Sequence, residues 1–486
     1  MKKCPATKRA FNFKYQLSDN QSFNFKSHRH EELYLGLRAN FSSHFDEFKD
    51  VFKLAKKDVS HKAVQLLEGL FRTGRGERNL ERILEAVSNQ VSDAEYQSLH
   101  HFMTSSPWDS HELMKRIGLQ TNQLLGNYQD IAYIIDEKAH LKKGNCSVGV
   151  GNQYAGLVGK NENCQVGVYG ALAYQQYAGL VNCRLFLLEK WCNDPDRCKK
   201  AGIPKEQQQY KTKLALALEM LRENLSSGMK FGWVGADSLY GRSHHFCNAI
   251  EDMGQRFVLD IPVATRLFLK APCIGLPNPK HKRLKADIKP VKVEDYLGQL
   301  EARDFQLTKI RKTTKGWLKA KIHVAQVWVW DQGDHGKGAE KQARERTLII
   351  RKPCSKNGKI KISLSNFKIN ECNIDRFAFM QSQRYLVEKA FKDSSKDLGM
   401  SDYQIRKYQS WYHFQALTML AMLFVLKEIL RNREQIPLLS YLDLKKIIQC
   451  LWDEKTNKLM LRLEQLLKRH QQRQNDIDRY YKLEYQ

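Results

Sequence analysis

Three acidic residues stand where carboxylates could do metal chemistry. Asp136 follows the apolar run "AYII", Asp237 closes "FGWVGAD" (231–237), and Glu388 lies within "RYLVEKAF" (384–391). Open α/β sheets gather side chains beyond the carboxyl ends of their strands, so two Asp residues so placed could project into one crevice. Arg384 and Glu388 are four residues apart and share a face of a helix. Like charges about 4 Å apart cost about 4 kcal/mol at an effective dielectric near 20, and a divalent cation removes that cost. A site of carboxylate oxygens suits Mg²⁺, with Mn²⁺ as a substitute. Two such ions about 3.5–4 Å apart can serve phosphodiester cleavage. An Asp after a strand is also an ordinary helix cap, and spacing alone leaves both readings open.

The elements that must position these acids fall into an α/β class. "NLERILEAVS" (79–88) places Leu80, Ile83, Leu84 and Val87 on one helical face, within a region (42–125) that reads as helical. Ser106 is expected to cap the helix that begins near Pro107. "AYIID" (132–136), 163–174, 183–188, 231–237 and 256–262 read as strands, and 211–225 and 244–254 as helices. Residues 263–375 carry a Pro- and Lys-rich stretch, then three β-rich runs at 316–331, 346–352 and 359–366. One helical pattern returns over 375–400, with Gly399 as its stop. The expected division is an N-terminal extension (1–40), a helical DNA-binding domain (41–128), a catalytic core in two parts (129–262 and 376–432), a β-rich insertion between them (263–375), and a basic helical C-terminal region (433–486).

Charge narrows the choice of partner. Lys and Arg number 80 against 53 Asp and Glu, a formal net charge of +27. Such an excess favours a polyanion, nucleic acid before a membrane surface. The longest oily run, residues 416–426, is too short to span a bilayer, and no apolar signal-peptide core follows the N-terminus, so a cytoplasmic protein is expected. Eleven cysteines, odd in number and without a CxxC pair, read as reduced thiols and not as a zinc site. "GVGNQYAG" (149–156) lacks the glycine spacing of a dinucleotide loop.

The chain resembles bacterial insertion-sequence transposases of the DDE type, which have a ribonuclease-H-like core interrupted by a β-strand insertion. The likeness runs from about residue 40 to the C-terminus. It rests on "YQSLHHFMTSSPWD" (96–109), "IIDEKAHLKKG", "SVGVGNQYAGLVGKNENCQVGV", "DPDRCKKAGIP" (194–204), "FGWVGADSLYG", "VWVWD" (327–331) and "RYLVEKAFKDSSKDLGMSDYQIRKYQSW" (384–411). It implies that Asp136, Asp237 and Glu388 are the catalytic, metal-holding acids and that Arg384 grips DNA phosphate. Tyr403, Arg406, Trp411 and His413 match further family positions. The implied activity is cleavage at the element's terminal repeats and joining of the freed 3′-OH ends to target DNA with two Mg²⁺ ions. The implied partners are double-stranded DNA and a second copy of the chain, as a homodimer that synapses two ends. Expected DNA contacts are Lys142, Lys143, Lys280, Lys282, Arg283, Lys392, Lys396, Arg406, Lys468, Arg469 and Arg473. Trp317, Trp328 and Trp330 are core or base-stacking residues.

The pattern departs from the family at Lys138 and His140, where a hydroxyl and an aromatic residue are usual. Leu386 replaces a Trp, and Ser395 stands in the place of a Lys, with Lys396 one position off. Two rivals remain: a transposase-derived DNA-binding protein that has lost the reaction, and a metal-dependent nuclease without strand transfer.

Overall fold

The computed structural model describes residues 28–88, 91–276, 283–313, 316–332, 340–354, 358–434, 436, 438–452, 470–479 and 481–482. Its organising element is a ten-stranded mixed sheet. The strands are β1 (Ala132–Leu141), β2 (Gly151–Ala155), β3 (Lys160–Tyr174), β4 (Tyr177–Phe186), β5 (Trp233–Ala236), β6 (Phe257–Asp260), β7 (Gln306–Thr313), β8 (Gly316–Val329), β9 (Arg344–Pro353) and β10 (Lys361–Ser365). The spatial order is β7-β8-β9-β10-β6-β5-β1-β3, and the far edge of β3 pairs with both β2 and β4. β1 runs antiparallel to β3 but parallel to β5, which is parallel to β6. Three antiparallel strands followed by two parallel ones, with helices on both faces, make a ribonuclease-H-like mixed sheet.

The β-rich residues after 300 lengthen this same sheet. β10 pairs antiparallel with β6 (Ser363↔Asp260, Leu364↔Leu259), and β9, β8 and β7 follow as a meander. Alternation explains their sequence pattern: Val327, Val329, Leu348, Ile350, Ile362 and Leu364 form a small core of their own on one face.

Among the described residues, five α-helices precede the sheet: α1 (His28–Asp46), α2 (Ser60–Arg72), α3 (Leu80–Val87), α4 (Asp93–Thr104) and α5 (Ser110–Leu125). Leu80, Ile83 and Leu84 of α3 are buried, as the spacing predicts. The cap of α5 is Asp109, whose carboxylate accepts from the His111 and Glu112 amides, and not Ser106, which is buried. After β4 come α6 (Lys213–Ser226) and α7 (His244–Asp252), and after β10 come α8 (Ile374–Ser382), α9 (Tyr385–Leu398), α10 (Tyr408–Arg431) and α11 (Tyr441–Trp452). The single helix expected over 375–400 breaks at Gln383 and Arg384, so Arg384 sits at the N-terminus of α9 and Glu388 in its first turn.

α10 is the central pillar. It is buried on every side and packs against α2, α4, α5 and β4. By length and composition it could cross a membrane, yet 83% of its most apolar window is covered by protein, the condition of a core helix. One apolar core runs from α1–α5 through α10 and α9 onto one face of the sheet, and a second lies on the other face under α6 and α7.

Candidate active site

Asp136 does not end its strand: β1 continues five residues past it to Leu141, sustained by antiparallel pairing with β3. What ends is the parallel pairing. Ile135 is the last residue of β1 opposite β5, facing Ala236, and Ala236 in turn faces Leu259 of β6. The next residue on each strand is an aspartate: Asp136, Asp237 and Asp260. Strand alternation puts Asp136 on the side of Ala132 and Ile134, and Asp260 on the side of Val258, the face covered by α9 and α10.

Asp136, Glu137 and Asp237 each offer a carboxylate oxygen within 4.8 Å of the others'. Two negative charges at that separation repel by about 3–4 kcal/mol at an effective dielectric near 20. Asp136 accepts from the Glu137 amide at 2.8 Å. Burial pushes its carboxyl up to about 7; Arg384 opposes the rise, and Asp237 and Glu137 add to it. Burial also raises Glu137, against the pull of Lys213, whose ammonium lies 3.3 Å away. Asp237 caps the single turn Ser238–Gly241 by accepting from the Leu239 amide at 2.9 Å, so the cap and the cluster are roles of one side chain. Gly241 closes that turn against β6, where a Cβ would stand 2.0 Å from the Asp260 carbonyl oxygen.

Glu388 lies outside the compact oxygen group and is 59% exposed. It joins the cluster through Arg384. That guanidinium reaches Glu388 at 3.0 Å, Asp260 at 3.0 Å and Asp136 at 3.5 Å. Burial disfavours its charge, but the carboxylates outweigh burial and raise its pKa. α9 sets this geometry by burying Leu386, Val387, Ala390, Phe391 and Leu398, which leaves Glu388, Lys389, Lys392 and Lys396 exposed.

The donor set fits a hard divalent ion: at least three carboxylate oxygens converge, with no sulfur or imidazole among them. Glu137 and Asp260 are the site residues that sequence reasoning missed. Asp260 had a legible signal, since "RFVLD" is an apolar strand ending on an acid just as "FGWVGAD" is.

Several other expected residues take different places. Lys142 is buried, and its ammonium donates to the carbonyls of Tyr403 (2.9 Å) and Ser401 (3.4 Å), so it does not face solvent as a phosphate contact would. Lys143, Arg283, Lys392, Lys396, Arg406 and Arg473 are exposed. Lys280, Lys282, Lys468 and Arg469 lie outside the described residues. Trp330 is buried and its indole N–H donates to the Glu340 carbonyl, which makes it a core residue. Trp317 and Trp328 are half-buried, Trp317 beneath the Lys309 ammonium. Trp411, Tyr403 and His413 are buried; His413 stacks on Trp108 and bonds the Met103 and Trp108 carbonyls.

The family departures have structural uses. His140 is buried between Tyr169 OH (2.7 Å) and Ser401 Oγ (2.9 Å). Lys138 lies over the Phe391 ring at 5.2 Å, and burial draws its ammonium down to about 8.

Residues 45–317, more than half of the chain, match the model of the DDE superfamily endonuclease family, and the chain belongs to that family. The match contains Asp136 and Asp237 and ends before Glu388. A relative from Microchaete diplosiphon, named "Probable transposase for insertion sequence element IS701", is 32% identical over 182 residues. That alignment covers 37% of this chain and 44% of the relative, less than half of either. Among solved structures, the cryo-EM structure of the piggyBac transposase synaptic complex with hairpin DNA is similar over 92% of this chain and 84% of that one. The identity is 10% and the TM-score 0.37, too remote a likeness to bear on fold or function.

Proposed function

We propose that this chain is an insertion-sequence transposase that cuts double-stranded DNA at the element's terminal repeats and joins the 3′-OH ends to target DNA. The observation that carries the reading is the convergence of Asp136 and Asp237 at the end of a parallel strand pair, in a chain of the DDE endonuclease family. Asp136 and Asp237 would hold a divalent ion, Mg²⁺ or Mn²⁺, and Glu388 in the first turn of α9 would be its third acid. When bound, such ions stabilise the attacking and leaving oxygens of an in-line phosphodiester displacement. The protein's own share is placement. β1 and β5 fix two carboxylates at strand spacing, Asp237 is held further by its cap bond, and α9 brings an acid and a guanidinium to the same mouth.

Lys392, Lys396, Lys143 and Arg406 offer exposed cations for DNA phosphate, and each phosphate neutralised on duplex DNA adds about −0.9 to the slope of log K against log salt. A homodimer that brings two ends together, acting on DNA in the bacterial cytoplasm, completes the proposal. It is tested by incubating the purified chain with terminal-repeat DNA and Mg²⁺. Cleaved and joined products that vanish in Asp237→Asn, while DNA binding persists, support it. Cleavage without joined products favours a nuclease, and binding without cleavage by the wild type favours a DNA-binding protein that has lost the reaction.

A further inference from the structure

Asp260 is bonded to the guanidinium that also reaches Asp136 and Glu388. It stands third in the row Asp136, Asp237, Asp260, one residue past the last β5–β6 pair. One carboxylate oxygen accepts from Ser363 Oγ at 2.7 Å, the other from Arg384 Nε at 3.0 Å. Arg351, on β9, is the second cation that acts on it.

The three arms of the Arg384 guanidinium are thereby divided. Nε is committed to Asp260 at 3.0 Å, one terminal nitrogen meets Glu388 at 3.0 Å, and the other meets Asp136 at 3.5 Å. The contact to Asp136 is the longest of the three. Each guanidinium nitrogen therefore faces a carboxylate, and of its five N–H donors only the two not directed at these acids remain for phosphate. The same charge stands 3.5 Å from an oxygen of Asp136, a member of the carboxylate cluster that would hold a divalent ion.

We propose that Asp260 is a positioning residue that holds Arg384 as a resident counter-cation. Arg384 neutralises Asp136 and Glu388 while no ion is bound, yields them when one arrives, and stays anchored at the mouth of the site through Asp260 with two nitrogens free for DNA phosphate. This rests on the proposed metal reading of Asp136 and Asp237. A plainer role for Asp260, tying β10 to β6 through Ser363, predicts no effect on ion affinity.

The experiment is calorimetric titration of full-length, metal-free protein with Mn²⁺, without DNA. Asp260→Asn keeps the size of the side chain and an acceptor for Ser363 but loses the charge that holds Arg384. The guanidinium then leans on Asp136 and Glu388, and Mn²⁺ affinity falls about fivefold or more. Arg384→Gln removes the competitor, and affinity rises about fivefold or more. Asp260→Asn/Arg384→Gln binds like Arg384→Gln, because Asp260 acts through Arg384. Asp260→Glu, which keeps the charge, restores most of the wild-type affinity.

Wild-type binding that disappears in Asp136→Asn establishes the metal site independently. If that holds while Asp260→Asn stays within twofold of the wild type, or Arg384→Gln weakens binding, the counter-cation role is overturned and the metal reading survives. If the wild type binds no Mn²⁺, or Asp136→Asn binds as tightly as the wild type, the metal reading itself fails. Should Asp260→Asn fail to fold, the sign of the Arg384→Gln effect still decides.

Discussion

Asp136→Asn should stabilise the metal-free protein, and by an amount that depends on pH. Burial, with Asp237 and Glu137 beside it, pushes the Asp136 carboxyl from 3.8 up to about 7 despite Arg384. Between those values the folded protein holds a proton that the unfolded chain has released, so stability falls as pH rises through this window. A shift of one pKa unit corresponds to about 1.4 kcal/mol, so this single group should cost the wild type about 2–3 kcal/mol between about pH 5 and about pH 8. Asparagine does not titrate and keeps an oxygen to accept from the Glu137 amide. The advantage of Asp136→Asn over the wild type should therefore grow by about 2–3 kcal/mol across that interval, or a few degrees of melting temperature in a chain of this size.

The assay is thermal unfolding in a chelating buffer at the two pH values, repeated with Mn²⁺ at the higher one. Mn²⁺ should raise the melting temperature of the wild type and leave Asp136→Asn unmoved, because only an ionised carboxylate cluster gains from the ion. An advantage that is equal at both pH values, or smaller at the higher one, would mean that the folded protein does not hold the Asp136 proton across this window. Equal stabilisation of both proteins by Mn²⁺ would mean that the ion does not bind at Asp136.

Other expectations follow from single contacts. Glu388→Gln should abolish Mg²⁺-dependent cleavage of terminal-repeat DNA while leaving DNA affinity within about threefold, since each phosphate contact comes from other side chains; wild-type turnover would remove Glu388 from the site. Lys392→Gln/Lys396→Gln should flatten the slope of log K against log salt by up to about 1.8 if both touch phosphate, which a filter-binding series reads directly. Lys142→Met should leave that slope unchanged and instead lower stability by about 1–3 kcal/mol, because its ammonium serves two backbone carbonyls. Gly241→Ala would press a Cβ into the Asp260 carbonyl oxygen, so a drop in melting temperature and a weaker Mn²⁺ affinity are expected together.

Much of the catalytic half could be read from the chain. The apolar runs that lead to Asp136 and Asp237 are bounded by polar residues, so the existence and order of these strands were legible in their hydrophobic pattern. Where β1 ends was not. "EKAHL" contains three charged or polar residues and looks like a loop, but β3 pairs with it throughout and tertiary pairing overrides local polarity. The break between α8 and α9 was equally hidden, since "MQSQRYL" contains neither glycine nor proline. It matters because it places Arg384 at a helix terminus, where its side chain can turn toward Asp260.

Register is a further thing that a sequence does not print. That Asp260 falls in line with Asp237 depends on Ala236 facing Leu259, and that Glu137 joins the oxygen cluster depends on the pairing of β1 with β5 running out at Ile135, two residues earlier. Lys142 shows the opposite error. A Lys-Lys pair near an acidic site invites a phosphate contact, but one of the two turns inward to the carbonyls of Ser401 and Tyr403, and nothing in "HLKKG" distinguishes it from its neighbour.

The most direct test is to locate Mn²⁺ by its anomalous scattering in crystals of the protein. A peak is expected at coordination distance, about 2.2 Å, from carboxylate oxygens of both Asp136 and Asp237. Arg384 should be withdrawn from Asp136 and still bonded to Asp260. A peak elsewhere on the molecule, or Mn²⁺-saturated crystals with none between those two strands, would contradict the proposed metal site.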